Sequence, residues 1–217
     1  PPPYPFDELM RSLRSRYGED APALTLMAAK DRDPFLVLIA CLLSLRTKDE
    51  VTDQAMGRLL KRARRPEEIA AMPVEELEKI IYPVGFYRNK ARTIKEVSRT
   101  ILQSHGGLVP RTIDELLTLR GVGRKTANIV LTEGFQQPGI AVDTHVHRIS
   151  NRLGAVKTKT PHETEKALRQ VLPQQYWISY NALLVTHGRR ICRPISPLCS
   201  QCPVQAYCGR IGVLRSR

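Results

Sequence analysis

Residues 119–127 read LRGVGRKTA, and this short stretch decides how the chain around it folds. A helical pattern ends before it, and Gly121 and Gly123 bracket a tight turn, because glycine adopts positive φ at no steric cost. A second helical pattern starts directly after the turn, at Arg124 and Lys125. The stretch therefore predicts a helix, a hairpin and a second helix, whose first backbone amides face outward and can hold an anion.

The charge of the chain agrees with an anionic partner for this hairpin. Lys and Arg total 34 against 21 Asp and Glu, which gives a net charge of +13 and a pI of about 9.9. Such an imbalance attracts polyanions. A plain turn between packed helices would use the same glycines, but beside this charge we expect contacts with nucleic acid phosphates. The expected contact residues are Gly121, Val122, Gly123 and Arg124.

The rest of the chain is patterned for helices, and strand alternation is scarce. Asp33 and Pro34 mark the start of a buried helix over the apolar run 35–45. Thr112 and Thr160, each followed three residues later by a glutamate, predict two further helix starts with capping boxes. Other helices are expected at 5–17, 49–62, 73–81, 88–104, 123–135, 143–153 and 174–187. The predicted fold class is all-α, with linkers at 19–23 and 136–140.

Size and composition limit the remaining classes. At 217 residues and 42% hydrophobic composition, the chain can bury one large core or two modest ones. No apolar stretch of about 18 residues occurs, so no role in a membrane is expected.

Four cysteines near the C-terminus follow the pattern C-x6-C-x2-C-x5-C, which is ligand spacing for a thiolate-bound metal centre. We favour a 4Fe-4S cluster, because structural zinc sites usually pair two C-x2-C knuckles and this run has one. The expected ligands are Cys192, Cys199, Cys202 and Cys208. Disulfides are disfavoured, because five cysteines are present and no secretory signal is seen. The fifth, Cys41, is expected to be a core residue.

Lys125 is expected in the first turn of the helix after the hairpin. The helix dipole and the neighbouring Arg124 both disfavour an ammonium there, which favours the neutral, nucleophilic amine. Such an amine can attack C1′ of a damaged nucleotide and form a Schiff base that permits elimination of the 3′ phosphate. A lysine beside a hairpin can also contact phosphate as a plain charge, and the spacing alone leaves both roles open.

A carboxylate follows in residues 140–148, IAVDTHVHR, where Asp143 opens a new helix. Its simplest role is that of an N-cap. A carboxylate held there can also stabilise positive charge at the sugar as the base departs, or orient the lysine or a water. The two roles are compatible.

In this order, the hairpin, the lysine, the acid and the cysteines resemble the endonuclease III family of DNA glycosylases, within the helix-hairpin-helix superfamily. The resemblance covers residues from about 35 to 208. Its most specific parts are GVGRKTA at 121–127, VDTH at 142–145 and the cysteine spacing. Weaker agreement comes from LSLRTKD at 43–49 and IYPVGFY at 81–87.

The resemblance implies a bifunctional DNA glycosylase and AP lyase of base excision repair. The enzyme would remove oxidised pyrimidines from duplex DNA and nick the abasic strand by β-elimination, with Lys125 and Asp143 as catalytic residues acting on a flipped nucleotide. Two helical domains are implied, with DNA in the cleft between them. One is a helical barrel with the hairpin at 23–135, and the other is a cluster domain of 1–22 plus 136–217 that carries the 4Fe-4S cluster.

The chain departs from the family's pattern at a few positions. Arg46 stands where the family commonly has a glutamine that fills the gap left by the extruded base, and Phe86 is the candidate for the second wedge residue. Arg120 stands where the family usually has a proline before the hairpin glycine, which removes a rigid φ, and it is expected to add a phosphate contact. The loop from Cys192 to Cys199 is often basic in the family but here holds only Arg193, so Arg189 and Arg190 are expected to supply part of that DNA contact.

Two other functions stay open at this point. One is a monofunctional mismatch glycosylase for adenine or thymine, in which Asp143 activates water; Lys125 argues against it. The other is a noncatalytic DNA-binding metal module, which needs neither residue. We expect a monomer that binds double-stranded DNA with damaged bases or abasic sites, in the cytoplasm of a prokaryote or in the nucleus or mitochondria of a eukaryote.

Overall fold

The computed structural model describes residues 3–18 and 32–217. All regular structure in these ranges is helical and none is strand, which confirms the all-α prediction. The chain divides into two compact units, whose described parts are residues 32–137 and residues 3–18 with 138–217. The predicted linker at 19–23 lies outside the described residues. Within those residues, no helix combines the length and the apolar composition that crossing a bilayer requires.

The α-helices of the described residues are α1 (Phe6–Tyr17), α2 (Pro34–Ser44), α3 (Asp49–Leu60), α4 (Pro66–Ala71), α5 (Val74–Ile81), α6 (Tyr87–Ser104), α7 (Ile113–Thr118), α8 (Arg124–Ile129), α9 (Thr144–Leu153), α10 (Pro161–Val171) and α11 (Trp177–Arg190). A π-helical turn, Val130–Gly134, continues α8, and short 3-10 turns lie at Gln174–Tyr176, Cys199–Gln201 and Gln205–Tyr207. Helix α4 was not predicted from the sequence, although a proline in its first turn, followed by two glutamates, is a helix-start signal.

Helix α2 forms the centre of the unit that contains residues 32–137. Its predicted start is confirmed: the Asp33 carboxylate accepts the backbone N–H groups of Phe35 at 2.8 Å and Leu36 at 3.3 Å. Every residue from Phe35 to Leu43 is buried, so α2 is surrounded by protein on all sides. Helices α3, α6 and α8 and the π-helical turn pack against it. The helix that follows the hairpin therefore rests directly on the core.

The second unit is built on α1, α9, α10 and α11. Although α1 is far from the others in sequence, it packs against α11 and buries Phe6, Leu9, Met10 and Leu13 in a shared apolar core. The cysteine segment lies against the same core. The Tyr4 hydroxyl donates to a backbone carbonyl of that segment at 2.9 Å. The start of the chain thus helps to hold the cysteine segment in place.

The two predicted capping boxes mark helix starts correctly, but the glutamate carboxylates accept different hydrogen bonds from those of a standard capping box. Thr112 and Thr160 each accept the backbone N–H of the glutamate three residues on, at 3.3 and 3.2 Å. The Glu115 carboxylate accepts from the Thr112 hydroxyl at 2.6 Å. Glu163 accepts the backbone N–H of Lys159 at 2.9 Å. Both helix starts are confirmed, while the reciprocal bonds reach different donors from those expected.

Candidate functional site

The turn between α7 and α8 has the predicted hairpin form. The backbone N–H of Val122 donates to the carbonyl of Leu119 at 3.1 Å, and Gly121 has φ +76. A Cβ on Gly121 would lie 3.3 Å from the Thr93 side chain and 3.4 Å from that of Leu42. Both the backbone conformation and the space available therefore favour glycine at this position.

Gly123 behaves differently, which corrects the expectation that both glycines use positive φ. It is the N-cap of α8, with extended backbone at φ −97 and ψ 175. A Cβ at Gly123 would meet no described atom within 4 Å. Without a side chain, Gly123 leaves the space beside the first turn of α8 unfilled, which suits the phosphate contact predicted from the sequence.

Lys125 is exposed in the first turn of α8, where the sequence analysis placed it. The next two residues, Thr126 and Ala127, are buried and hold the helix on the core. Cys41 of α2 is also buried, which confirms it as a core residue. Burial raises the pKa of the Cys41 thiol to about 12, and the charge of Lys125 opposes that shift. A thiol of this kind stays protonated and unreactive.

Of the other predicted contact residues, Arg120 is exposed, Arg124 is half-buried and Val122 is buried. Arg120 donates to the Glu96 carboxylate of α6, with the two side chains 51% and 50% exposed. A surface ion pair of this kind contributes little to stability. Arg120 can therefore leave Glu96 for a phosphate at little cost in free energy. Val122 is 7% exposed. Its predicted DNA contact is therefore limited to its backbone.

Arg46 and Phe86 lie side by side. Arg46 follows the end of α2 and Phe86 is the N-cap of α6, and the guanidinium carbon of Arg46 is 6.0 Å from the centroid of the Phe86 ring. Both residues have left-handed backbone, with φ 52 and 58. The Phe86 side chain is 65% exposed. Sequence reasoning named each residue separately and did not predict that they touch.

In the other unit, Asp143 is the N-cap of α9. Its carboxylate accepts the backbone N–H of Val146 at 2.9 Å, which confirms the simplest role considered for it. The side chain is half-buried. The nearby His145 and His147 have separate partners, with their Nδ1 atoms 3.1 Å from Arg148 and 2.7 Å from Thr164.

The four cysteines of the C-terminal run come together around one cavity. All are free thiols, and that cavity is lined by Ile149 and Leu153 of α9, His187 of α11 and the four cysteines Cys192, Cys199, Cys202 and Cys208. Within the described residues, no three His, Cys, Asp or Glu side chains are placed to bind a single metal ion. A zinc ion needs every sulfur at about 2.3 Å from one point. A four-iron cluster binds each thiolate through its own iron, so its sulfurs lie farther apart, and four cysteine thiolates are the donor set that it takes.

The protonation of these thiols also fits a cationic centre. Burial raises the pKa of Cys202 to about 11, and the other three thiols add to that shift. Burial likewise raises the pKa of Cys208. Bringing such thiols together as thiolates is unfavourable unless a positive centre binds them, and a bound metal deprotonates its thiol ligands. Binding of these four groups as thiolates therefore requires a cation.

Two arginines that the sequence analysis overlooked hold the cysteine loop. Arg152 donates to the carbonyls of Arg193 at 2.7 Å and Pro194 at 2.6 Å, and lies 3.5 Å from the Cys192 sulfur. Arg148 donates to the carbonyl of Cys192 at 2.9 Å. Their spacing of four residues, which places them on one face of α9, was the available signal. The Arg193 side chain itself is exposed, as a DNA contact requires.

Known proteins match this chain in sequence and in structure. Residues 39–174 match the HhH-GPD superfamily of base excision DNA repair proteins. Endonuclease III of Thermotoga maritima is 52% identical over 203 residues, which cover 94% of this chain and 92% of that protein. The solved structure of a trapped endonuclease III–DNA covalent intermediate has a TM-score of 0.83 at 36% identity, over 94% of each chain.

A thermostable thymine-DNA glycosylase is also similar in structure. Its TM-score is 0.82 at 24% identity, over 94% of this chain and 95% of that one. At this identity the likeness shows a shared fold and no more. The fold therefore does not distinguish a bifunctional from a monofunctional glycosylase, and the residues of the site have to do so.

Proposed function

Because the chain belongs to the endonuclease III family of the HhH-GPD superfamily, we propose that it is a DNA glycosylase with AP lyase activity. Its substrates are oxidised pyrimidines in duplex DNA, and it cleaves the strand at the abasic site that results. The observation that carries the proposal is Lys125, an exposed lysine in the first turn of α8, directly after the hairpin. The covalent DNA complex of a relative supports a nucleophilic mechanism over simple hydrolysis.

The chemistry requires that the amine of Lys125 bond covalently to a sugar carbon. Its Nζ attacks C1′ of the flipped nucleotide, the bond from C1′ to the base breaks, and the base leaves with the bonding electrons and takes up a proton. Loss of a proton from Nζ and opening of the sugar ring give a Schiff base between Nζ and C1′. Removal of a proton from C2′ then expels the 3′ phosphate, and water hydrolyses the Schiff base to regenerate the lysine.

Asp143 assists the departure of the base. One oxygen of its carboxylate accepts the Val146 N–H, which fixes the orientation of the group at the start of α9. A preoriented carboxylate stabilises positive charge that develops at C1′ and orients the attacking amine. The N-cap bond and the catalytic role then use the same side chain.

The remaining residues bind DNA or hold the fold. The hairpin amides, with Arg120 and Arg124, contact the phosphate backbone, and Arg193, Arg189 and Arg190 add contacts from the other unit. Cys192, Cys199, Cys202 and Cys208 hold a 4Fe-4S cluster, which supplies a cross-link for the C-terminal segment. The protein acts as a monomer on chromosomal DNA, which in a bacterium lies in the cytoplasm.

Borohydride trapping on a duplex with an abasic site or thymine glycol tests the proposal. Borohydride reduces a Schiff base to a stable amine, so the wild-type protein should become covalently linked to the DNA. Lys125→Ala should abolish the cross-link. Lys157→Ala, which removes an exposed lysine from the other unit, is the matched control and should trap like wild type.

The same experiment separates the rival functions. A monofunctional mismatch glycosylase would release a base and leave no reducible intermediate, and a noncatalytic DNA-binding module would release no base. Trapping that persists at the wild-type yield in Lys125→Ala would show that another amine is the nucleophile.

A further inference from the structure

Lys90 of α6 is buried, although the proposed chemistry gives it no role. It is 8% exposed. Its Nζ donates to the carbonyl oxygen of Leu43 at 2.7 Å, to that of Leu45, and to the Thr47 hydroxyl at 3.0 Å. Burial lowers the pKa of Lys90 to about 8. Burying an ammonium is unfavourable unless hydrogen bonds compensate for the lost water. The three acceptors of Lys90 provide that compensation, and they indicate a structural role for the contact.

The group that Lys90 holds is the end of α2. The last carbonyls of a helix have no partner within the helix and carry partial negative charge. Lys90 supplies the missing donor to two of them, at Leu43 and Leu45. It caps α2 from a neighbouring helix and sets the direction in which the chain leaves α2.

Thr47 extends this contact to a second loop. Its hydroxyl accepts from Lys90 and also from the backbone N–H of Gly85, at 3.1 Å. A Cβ on Gly85 would lie 2.7 Å from the carbonyl oxygen of Arg46. The loop after α2 and the loop before α6 therefore touch, and one ammonium and one hydroxyl join them.

Each of these loops carries one residue with left-handed backbone. Arg46 lies between Leu45 and Thr47, and Phe86 follows Gly85, with φ 52 and 58. Residues other than glycine keep this backbone only where their surroundings dictate it, and such residues cluster at functional sites. The hydrogen bonds of Lys90 and Thr47 hold the backbone on either side of Arg46 and next to Phe86, and so favour this conformation.

The outcome of this geometry is a stacked pair of side chains at the surface. The Arg46 guanidinium lies 6.0 Å from the centroid of the exposed Phe86 ring, within the range of a cation–π contact. An exposed aromatic ring and an extended cation held together present a flat, rigid surface on which a nucleobase can stack.

We propose that Lys90 is a positioning residue that holds Arg46 and Phe86 as one preassembled stacked pair, which enters the duplex when a nucleotide is extruded. The inference rests on the proposed function, because only an enzyme that flips nucleotides leaves a gap to fill. Lys90 fixes the positions of both side chains before DNA binds. Neither side chain then has to lose conformational freedom while the nucleotide is extruded.

Lys90→Met tests the inference, because it keeps the length and apolar character of the side chain but removes the donors. The matched control is Lys95→Met on the same helix, where Nζ donates to the carbonyl of Met72. The first measurement is the fluorescence of 2-aminopurine placed opposite a reduced abasic site, which rises when that base is unstacked. The second is the single-turnover rate of thymine glycol excision, compared with strand cleavage at a preformed abasic site.

We expect Lys90→Met to lose most of the fluorescence rise. Excision should slow by about tenfold or more, as for a displaced group remote from the chemistry. Cleavage of the preformed abasic site should change by less than about twofold, because no base has to be extruded. Lys95→Met should match wild type in all three measurements. Thr47→Val, which removes the hydroxyl that joins the loops, should show the same pattern and is available if Lys90→Met does not fold.

A mutant cycle separates positioning from general stability. In a background of Arg46→Ala with Phe86→Ala, adding Lys90→Met should slow excision no further, because Lys90 acts through the two side chains already removed. Additive losses in that background, or a wild-type fluorescence rise in Lys90→Met, would overturn the inference. Wild-type trapping by borohydride is independent of Lys90, so its absence would overturn the proposed function instead.

Discussion

Asp143 and Asp33 cap their helices in the same manner. The Asp143 carboxylate accepts the Val146 N–H at 2.9 Å, and the Asp33 carboxylate accepts the Phe35 N–H at 2.8 Å. Asparagine caps a helix about as well as aspartate does. Changing either residue to asparagine therefore keeps the cap and removes only the charge. At the scale of the residue, this pair separates what a carboxylate contributes to folding from what it contributes to chemistry.

We expect Asp143→Asn to slow base excision by about a hundredfold, the usual effect of removing a preoriented group that stabilises developing charge. Thermal unfolding and binding to a noncleavable abasic duplex should stay close to wild type. Asp33→Asn should leave all three properties unchanged. Excision by Asp143→Asn at the wild-type rate would reduce Asp143 to a helix cap.

At the scale of the element, the hairpin contains two glycines that play different parts. Gly121 needs its left-handed backbone, and a Cβ added to it would have neighbours at 3.3 and 3.4 Å, whereas Gly123 has extended backbone and open space around it. Stability should therefore depend on Gly121, and phosphate binding on Gly123. The sequence shows the same residue type at both positions, and only the backbone conformation in the structure distinguishes their roles.

The corresponding prediction uses two alanine variants of the hairpin. Gly121→Ala should lower the free energy of unfolding by more than about 1 kcal/mol, because alanine is strained at positive φ. Gly123→Ala should unfold like wild type but bind duplex DNA more weakly, because its Cβ occupies the space that a phosphate needs. Thermal unfolding and DNA titration at one fixed salt concentration measure both effects. Unchanged DNA binding by Gly123→Ala would make the hairpin a plain turn.

At the scale of the whole molecule, each unit contains cysteine in a different chemical setting. Cys41 is buried in the apolar core around α2, whereas the C-terminal cysteines line a common cavity beside the core of the second unit. A cluster at that cavity would cross-link residues 192–208, which lie beside α9 and α11. The metal should therefore stabilise one unit and leave the other unaffected.

Iron content and visible absorbance test this arrangement. Cys208→Ala should lose iron and colour and unfold at a lower temperature, because a ligand of the cluster is gone. Cys41→Ala should keep both iron and colour and lose only about 1 kcal/mol of packing. A colourless wild-type protein that contains zinc would contradict the cluster.

Features set by neighbouring residues were predictable from the sequence. Asp33, Thr112 and Thr160 start helices through bonds to amides two or three residues away, so short motifs are enough to recognise them. The same holds for the place of Lys125 in a helix and for the Asp143 cap. The helical class of the chain is the sum of such local signals.

Only the tertiary structure decided which distant residues meet. Lys90 reaches the end of α2 across 47 positions, and Arg148 reaches the cysteine loop across 44. In both contacts the acceptor is a backbone carbonyl, a group that every residue has, so no pattern of side chains marks it in advance. The stacking of Arg46 on Phe86 likewise depends on how the helices pack. The functional residues could thus be recognised from short sequence motifs. The residues that hold them in position could not, because their contacts join distant parts of the chain and exist only after folding.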